Sequence, residues 1–206
     1  MTLKPSPTAR GLGEGALYPA IALFELSSIA AGAYTADRMV KRSPIDLLHA
    51  GTVQPGKYLI LIGGGTAEVE ESYREGMQAA PDAILDEVFL PQAHKRVVEA
   101  LNGARTYEKY ESLVVLETST IAAIVRATDA AAKGARIEVA ELRAGSGLGG
   151  RGMAILTGDR TDIEAAAEIA MRSLAGRDVT LCHSIISNVH EQFAAQLNES
   201  SRFFGR

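Results

Sequence analysis

At 206 residues the chain has room for one or two domains, and 47% hydrophobic with 22% charged residues is the balance of an ordinary globular protein. A net charge of -4 gives no case for nucleic acid, the single cysteine, Cys182, excludes a disulfide framework or a cysteine-rich metal site, and no apolar run approaches the ~18 residues of a membrane span. The opening MTLKPSPTARGLGEG lacks the apolar core of a signal peptide, so residues 1–17 are expected to be a flexible N-terminal segment of a cytoplasmic protein.

In chain order, the apolar run Ala20–Leu26 predicts a strand, and Ser27-Ser28 offers an N-cap to a helix that Ser43-Pro44 stops near Arg42. Asp46–Ala50 and Lys57–Ile62 predict two strands with their turn in His49-Ala50-Gly51-Thr52-Val53. A second helix is expected from Thr66, a fourth strand over Ala83–Leu90 and a last helix over His94–Leu101. Gly103-Ala104-Arg105-Thr106-Tyr107 begins a join. Then the order starts again. Ser112–Glu117 predicts a strand, Thr118-Ser119-Thr120 an N-cap, and the helix that follows runs to Gly134, placed as a C-cap. Glu138–Arg143 and Gly152–Thr157 predict two strands, Thr161-Asp162-Ile163-Glu164 a capping box, Val179–Ile185 a fourth strand and His190–Leu197 a last helix.

The two halves match residue by residue. Glu25 meets Glu117, Ser27 meets Ser119 and Ile29-Ala30-Ala31 meets Ile121-Ala122-Ala123, at a register of 117 − 25 = 92. Asp37, Lys41 and Ile45 meet Asp129, Lys133 and Ile137, and His94 meets His190 at a register of 96 after a small drift. Collinear matches of this kind indicate two copies of one unit. The expected fold is α+β: two tandem βαββαβα domains related to the ferredoxin-like arrangement, each an antiparallel sheet with helices on one face. The expected boundaries are 18–103 and 112–198, a linker at 104–111 and a tail at 199–206.

Gly145, Gly147 and Gly150 spell G-x-G-x-x-G, but a dinucleotide fingerprint needs its glycines between a strand and a helix N-terminus. Here Met153–Thr157 follows as a strand, so the motif is expected to be a glycine-rich hairpin chosen for backbone freedom.

With element order and repeat in hand, the sequence from Ala16 to Asn198 resembles a bacterial microcompartment shell protein of the tandem-domain, trimer-forming kind, in the unpermuted order. Three features carry the resemblance, each present twice or in its expected place: Ala36-Asp37-x-x-x-Lys41 with Thr128-Asp129-x-x-x-Lys133, the turn Ala144-Gly145-Ser146-Gly147, and the His that opens each last helix. The resemblance implies a homotrimer that forms a pseudohexagonal tile, packs with other shell proteins (hexamers and pentamers) and passes small metabolites through a central pore. It implies no catalysis, no cofactor, no metal, and neither nucleic acid nor membrane as partner. Ala50, Gly51, Thr52, Val53, Gly145, Ser146 and Gly147 would line the pore, with His49 and Arg143 in similar places as rim charges, the imidazole titrating near its ~6.5 reference. Lys41, Lys133, Gln92 and Asn188 would lie at the tile edge.

This sequence departs from the family where P-R-P-H often precedes the last helix: it reads Pro91-Gln92-Ala93-His94 and Ser187-Asn188-Val189-His190, without the arginine. Some tandem members hold an iron–sulfur cluster by a pore-loop cysteine, where this loop has Ser146 and the other copy Thr52. Cys182 is expected as a small buried hydrophobe on a strand. His94 and His190 are read as structural. The strand acids Glu25 and Glu117 are expected to bond to backbone or to a neighbouring subunit. The alternative reading is a ferredoxin-like regulatory oligomer that binds a small molecule between subunits.

Overall fold

The structure, a computed structural model, describes residues 18–106, 111–145 and 147–202. The expected segment 1–17, Tyr107 in the join, the last four residues of the tail and Ser146 lie outside them. The elements are β1 (Ala20–Leu26), α1 (Ile29–Arg42), β2 (Asp46–Val53), β3 (Lys57–Gly64), α2 (Thr66–Ala79), β4 (Ile84–Leu90) and α3 (Lys95–Leu101), then β5 (Ser112–Thr118), α4 (Ile121–Gly134), β6 (Glu138–Ala144), β7 (Gly152–Gly158), α5 (Arg160–Ser173), β8 (Leu181–Ser187) and α6 (Glu191–Glu199). They form two four-stranded sheets, ordered β2-β3-β1-β4 and β6-β7-β5-β8. The order is the same in both repeats, and it is that of the ferredoxin-like arrangement.

Local chemistry explains most boundaries. Ser28 caps α1 by accepting from the Ala31 amide at 3.2 Å, and Thr120 caps α4 by accepting from the Ala123 amide at 3.4 Å. Helix α5 begins at Arg160 with Asp159 as its N-cap and no side-chain cap, so the expected capping box does not form. Glu164 is engaged instead by Arg160 Nε at 2.8 Å, one turn away on the same face. Strand β8 starts two residues later than expected. Ser119 and Thr180 tie the preceding residues together, the Ser119 amide donating to the Thr180 carbonyl and the Thr180 amide to Ser119 Oγ, both at 3.0 Å.

In the first repeat, Ala36 and Met39 of α1 and Val69 of α2 pack with Ala20, Ala22, Phe24, Leu26, Ile60 and Ile62 on one face of the sheet. Phe24, Tyr73 and Phe89 form an aromatic chain with ring centroids 5.3 and 5.4 Å apart. In the second repeat α4 lies on the equivalent face, while Leu197 of α6 packs with Leu113, Ala140 and Ile155 on the opposite one. The two long helices share a face as expected, and the terminal helix turns to the other. Two compact units result, one of residues 18–52 and 56–95, the other of 53–55 and the described residues from Arg96 on. Helix α3 belongs almost wholly to the second unit. Arg96 reaches Glu138 of β6 at 3.3 Å, and the Thr106 amide donates to the Ala140 carbonyl at 3.0 Å. No helix among the described residues is long and apolar enough to cross a membrane.

The repeats conserve volume across one helix-to-sheet contact while exchanging the residues that supply it. Gly32 of α1 faces Tyr58 of β3, whose Cβ would lie 2.5 Å from any Cβ added at Gly32. The twin positions are Ile124 of α4 and Gly152 of β7, where a Cβ on Gly152 would drive into Ile124. Small faces large in both repeats, from opposite sides. Gly152→Ala is therefore expected to cost about 1–3 kcal/mol in chemical denaturation, and adding Ile124→Ala to restore part of it. Wild-type stability in the single variant would contradict the contact.

Candidate functional site

The glycine-rich segment joins β6 to β7, and no helix follows it directly. Its backbone explains its composition. Gly145, Gly147, Gly149 and Gly150 all have positive φ, between 59° and 80°, which L side chains rarely adopt. The Leu148 amide donates to the Gly145 carbonyl and the Arg151 amide to the Leu148 carbonyl, both at 3.2 Å, so two turns are wound back to back. A Cβ at Gly145 would also meet Ile121 Cδ1 at 2.6 Å. The nucleotide reading fails here on geometry, because the loop returns into a strand and presents no helix N-terminus to an anion.

In the first repeat the structure corrects the expected turn. His49, Ala50, Gly51, Thr52 and Val53 are all in β2, and the reversal is made by Gln54-Pro55-Gly56, with a cis Gln54–Pro55 bond and φ +90° at Gly56. The pairings Ala20 with Gly64 and Ser112 with Gly158 place β3 and β7 in register at 94 residues, against 92 for β1 and β5. Between equivalent positions the second connection thus carries an insertion of two residues relative to the first. At the register of 92, Arg143 is the twin of Gly51 and His49 the twin of Glu141, so His49 and Arg143 do not occupy equivalent places.

The charged groups beside the longer turn form a small network. Glu141 is nearly buried, accepting from Ser201 Oγ at 2.7 Å and from Arg105 Nη2 at 3.3 Å. Arg143 Nη1 donates to the same Ser201 hydroxyl at 3.4 Å, and its Nη2 lies 3.7 Å from where a Gly147 Cβ would stand. Arg143 therefore carries its charge directly under the turn, whereas His49 is exposed on the edge strand β2.

Lys41 and Lys133 end their helices as expected, where a cation suits the helix dipole. Each pairs with the acid four residues earlier: Lys41 with Asp37 at 2.6 Å, Lys133 with Asp129 at 2.5 Å. Gln92 and Asn188 are exposed in the turns that precede α3 and α6, and Asn188 takes the left-handed conformation with φ 51°. His190 caps α6, its Nδ1 accepting from the Gln192 amide at 3.3 Å.

Sequence reasoning missed the partners of the strand acids. Glu25 is fully buried and bonds Lys57 Nζ at 2.5 Å, and Glu117 pairs with Arg151. Both cations stand at the same register, 57 and 151, Lys57 as the first residue of β3 and Arg151 immediately before β7. That repeated position was the available signal. Glu25 and Glu117 each pair with a cation of their own unit, a partner that the expected bond to backbone or to a neighbouring subunit did not include.

Cys182 is exposed on β8, not buried, because that edge strand presents its side chain on an uncovered part of the sheet. It lies three strands from β6, about 14 Å at the usual strand spacing, so it does not supply a thiolate at the glycine turn. Among the described residues no three His, Cys, Asp or Glu side chains gather as a metal site. The donor set does not fit an iron–sulfur cluster of the kind held by a pore-loop cysteine.

Comparison with known proteins returns one family and related structures. The BMC domain family matches residues 20–93 and again 112–189. The chain is 31% identical over 180 residues to the bacterial microcompartment shell protein PduT of Citrobacter freundii, covering 87% of this chain and 98% of that one. A crystal structure of a microcompartments protein from Desulfitobacterium hafniense aligns at a TM-score of 0.75 and 34% identity, over 85% of this chain and 98% of the other. A fused permuted hexameric shell protein of the RMM microcompartment aligns at a TM-score of 0.56 and 20% identity, over 76% and 84%, a likeness of fold. The regulatory-oligomer alternative finds no support among these relatives.

The buried ion pair carries a stability cost that can be read directly. Glu25→Ala leaves Lys57, only 19% exposed at its side chain, without its carboxylate, and is expected to lower unfolding stability by about 3–5 kcal/mol. A loss below about 1 kcal/mol, the scale of an exposed pair, would show that the pair is not buried in solution.

Proposed function

The chain belongs to the BMC domain family of microcompartment shell proteins, and from that premise we propose that three copies close into a pseudohexameric tile of the shell. One observation supports the reading: the whole unit occurs twice in one chain, each time with its own complete four-stranded sheet. Three chains then present six units around one axis, as a closed cyclic assembly requires. The protein's place is the microcompartment shell, and it acts there with other shell components, hexamers and pentamers among them. Its role is structural and not catalytic. The strand acids that could have served acid–base chemistry are committed to Lys57 and Arg151.

The two β-turns of the repeats alternate around the central pore. Gly145, Ser146 and Gly147 belong to the longer turn, and the shorter one, at 54–56, follows Ala50, Gly51, Thr52 and Val53 on β2. Glycines let six chain segments crowd toward an axis, and exposed backbone amides offer polar donors to a passing metabolite. Arg143 under the longer turn and His49 on β2 set the charge near the rim. Lys41, Lys133, Gln92 and Asn188 stand at the tile edge, where adjacent tiles meet.

Light scattering of the purified protein is expected to give three times 21.8 kDa, about 65 kDa, with hexagon-shaped discs in negative stain. Lys41→Ala with Lys133→Ala is expected to keep that mass but abolish extended sheets or tubes. A mass of one chain, or of two, would contradict the tile. Unchanged sheets in the double variant would remove the lysines from the edge.

A further inference from the structure

Glu141 and Arg143 stand two apart on β6, so their side chains leave the same face of the strand. Arg105 after α3 and Ser201 after α6 hold equivalent places in the two repeats, at the register of 96, and both reach Glu141. Arg105 is itself fixed at the C-terminal end of α6, its Nη2 donating to the Leu197 carbonyl at 2.9 Å and its Nη1 to the Glu199 carbonyl at 3.3 Å. It is the counter-ion that a nearly buried carboxylate requires.

The Ser201 hydroxyl has one proton to give. The 2.7 Å bond to Glu141 takes it, so a lone pair of the same oxygen meets Arg143 Nη1 at 3.4 Å. Ser201 thus holds one arm of the Arg143 fork. The other arm, Nη2, lies 3.7 Å from where a Gly147 Cβ would stand, and glycine places no side chain on it. Gly147 and Gly149 are left-handed on either side of Leu148, which is not. Backbone that alternates in this way turns successive amides into an anion-binding concavity. Beneath it, two guanidiniums and one carboxylate leave one positive charge in excess. The first repeat has none of this. Gly51 stands in the place of Arg143 and His49 in that of Glu141, and its reversal holds a single left-handed residue, Gly56.

Resting on the pore reading above, we propose that Arg143 and the backbone of the longer turn form a subsite for one small oxyanion per chain, a carboxylate or a phosphate, and that Ser201 positions Arg143 for it. The guanidinium fork matches both groups in geometry and charge. With one arm already held by Ser201, the fork loses little side-chain freedom when the ion arrives. The subsite is too small a device for a dinucleotide, which needs a helix N-terminus that this loop does not present. It makes the pore prefer anionic metabolites to neutral or cationic ones of the same size.

The test titrates acetate and inorganic phosphate separately into the full chain at constant ionic strength. The Gly147 and Gly149 amide shifts are followed by NMR, and the native mass is measured on the same sample. The shifts are expected to saturate at one ion per chain, and the tighter of the two ions identifies the class of metabolite. Arg143→Gln is expected to weaken binding about tenfold or more, and Ser201→Ala about threefold to tenfold. Ser201→Thr, which keeps the hydroxyl, should restore the wild-type affinity. Arg74→Gln removes the same charge from the exposed Glu70 pair on α2 and should change nothing. A trimeric mass without saturable shifts, or with equal affinity in Arg143→Gln, would overturn the subsite and leave the tile standing. Equal affinity in Ser201→Ala would overturn its positioning role. A native mass of one chain would overturn the pore setting whether or not the ion binds.

Discussion

A surface that occurs twice in a chain has to be covered twice. That constraint governs this protein. The repeated unit is a sheet whose central strand, β1 or β5, is bonded on both sides and flanked by an apolar helix pair. Many apolar positions that one repeat buries recur in the other, at registers that drift from 92 to 96 along the unit. Burial drives folding in proportion to the area taken from water, so each repeat covers one face of its sheet with its own helices.

The repeats are not copies in detail, and the differences fall where function separates them. Across the helix-to-sheet contact the glycine moved from α1 to β7 and the bulky residue from β3 to α4, so packing density is kept while identities change. At the turn nothing compensates. The second repeat gained two residues and four left-handed glycines, the first kept a short reversal at Gln54-Pro55-Gly56. In the proposed tile, two unlike loops would set polar backbone and the charge of Arg143 at every second position around the axis, an arrangement unavailable to six identical loops.

Much of this was legible in the sequence, because local chemistry and periodicity decide element positions. The apolar run at 20–26 and the caps at Ser28 and Thr120 lie where the residues alone put them, and the register of 92 exposed the repeat before any coordinate did. The failures have physical causes. Thr52 and Val53 are good strand residues, so β2 runs past Gly51 to the first residue that breaks the ladder, Pro55. Thr161 and Glu164 have the spacing of a capping box, but Arg160 competes for the glutamate. Cys182 is expected in a core because free cysteines are usually buried, yet it stands exposed on the edge strand β8, and which part of an edge strand is covered has no local signature. The partners of Glu25 and Glu117 are more than thirty residues away, and only comparison of the two repeats points to them.

Amide hydrogen exchange, followed above and below the concentration at which the proposed tile dissociates, tests the central claim most directly. If each repeat covers one face of its sheet with its own helices, the strands at 20–26 and 112–118 are both protected in either state. Free exchange of one of these strands in the dissociated protein, with the other still protected, would contradict the account.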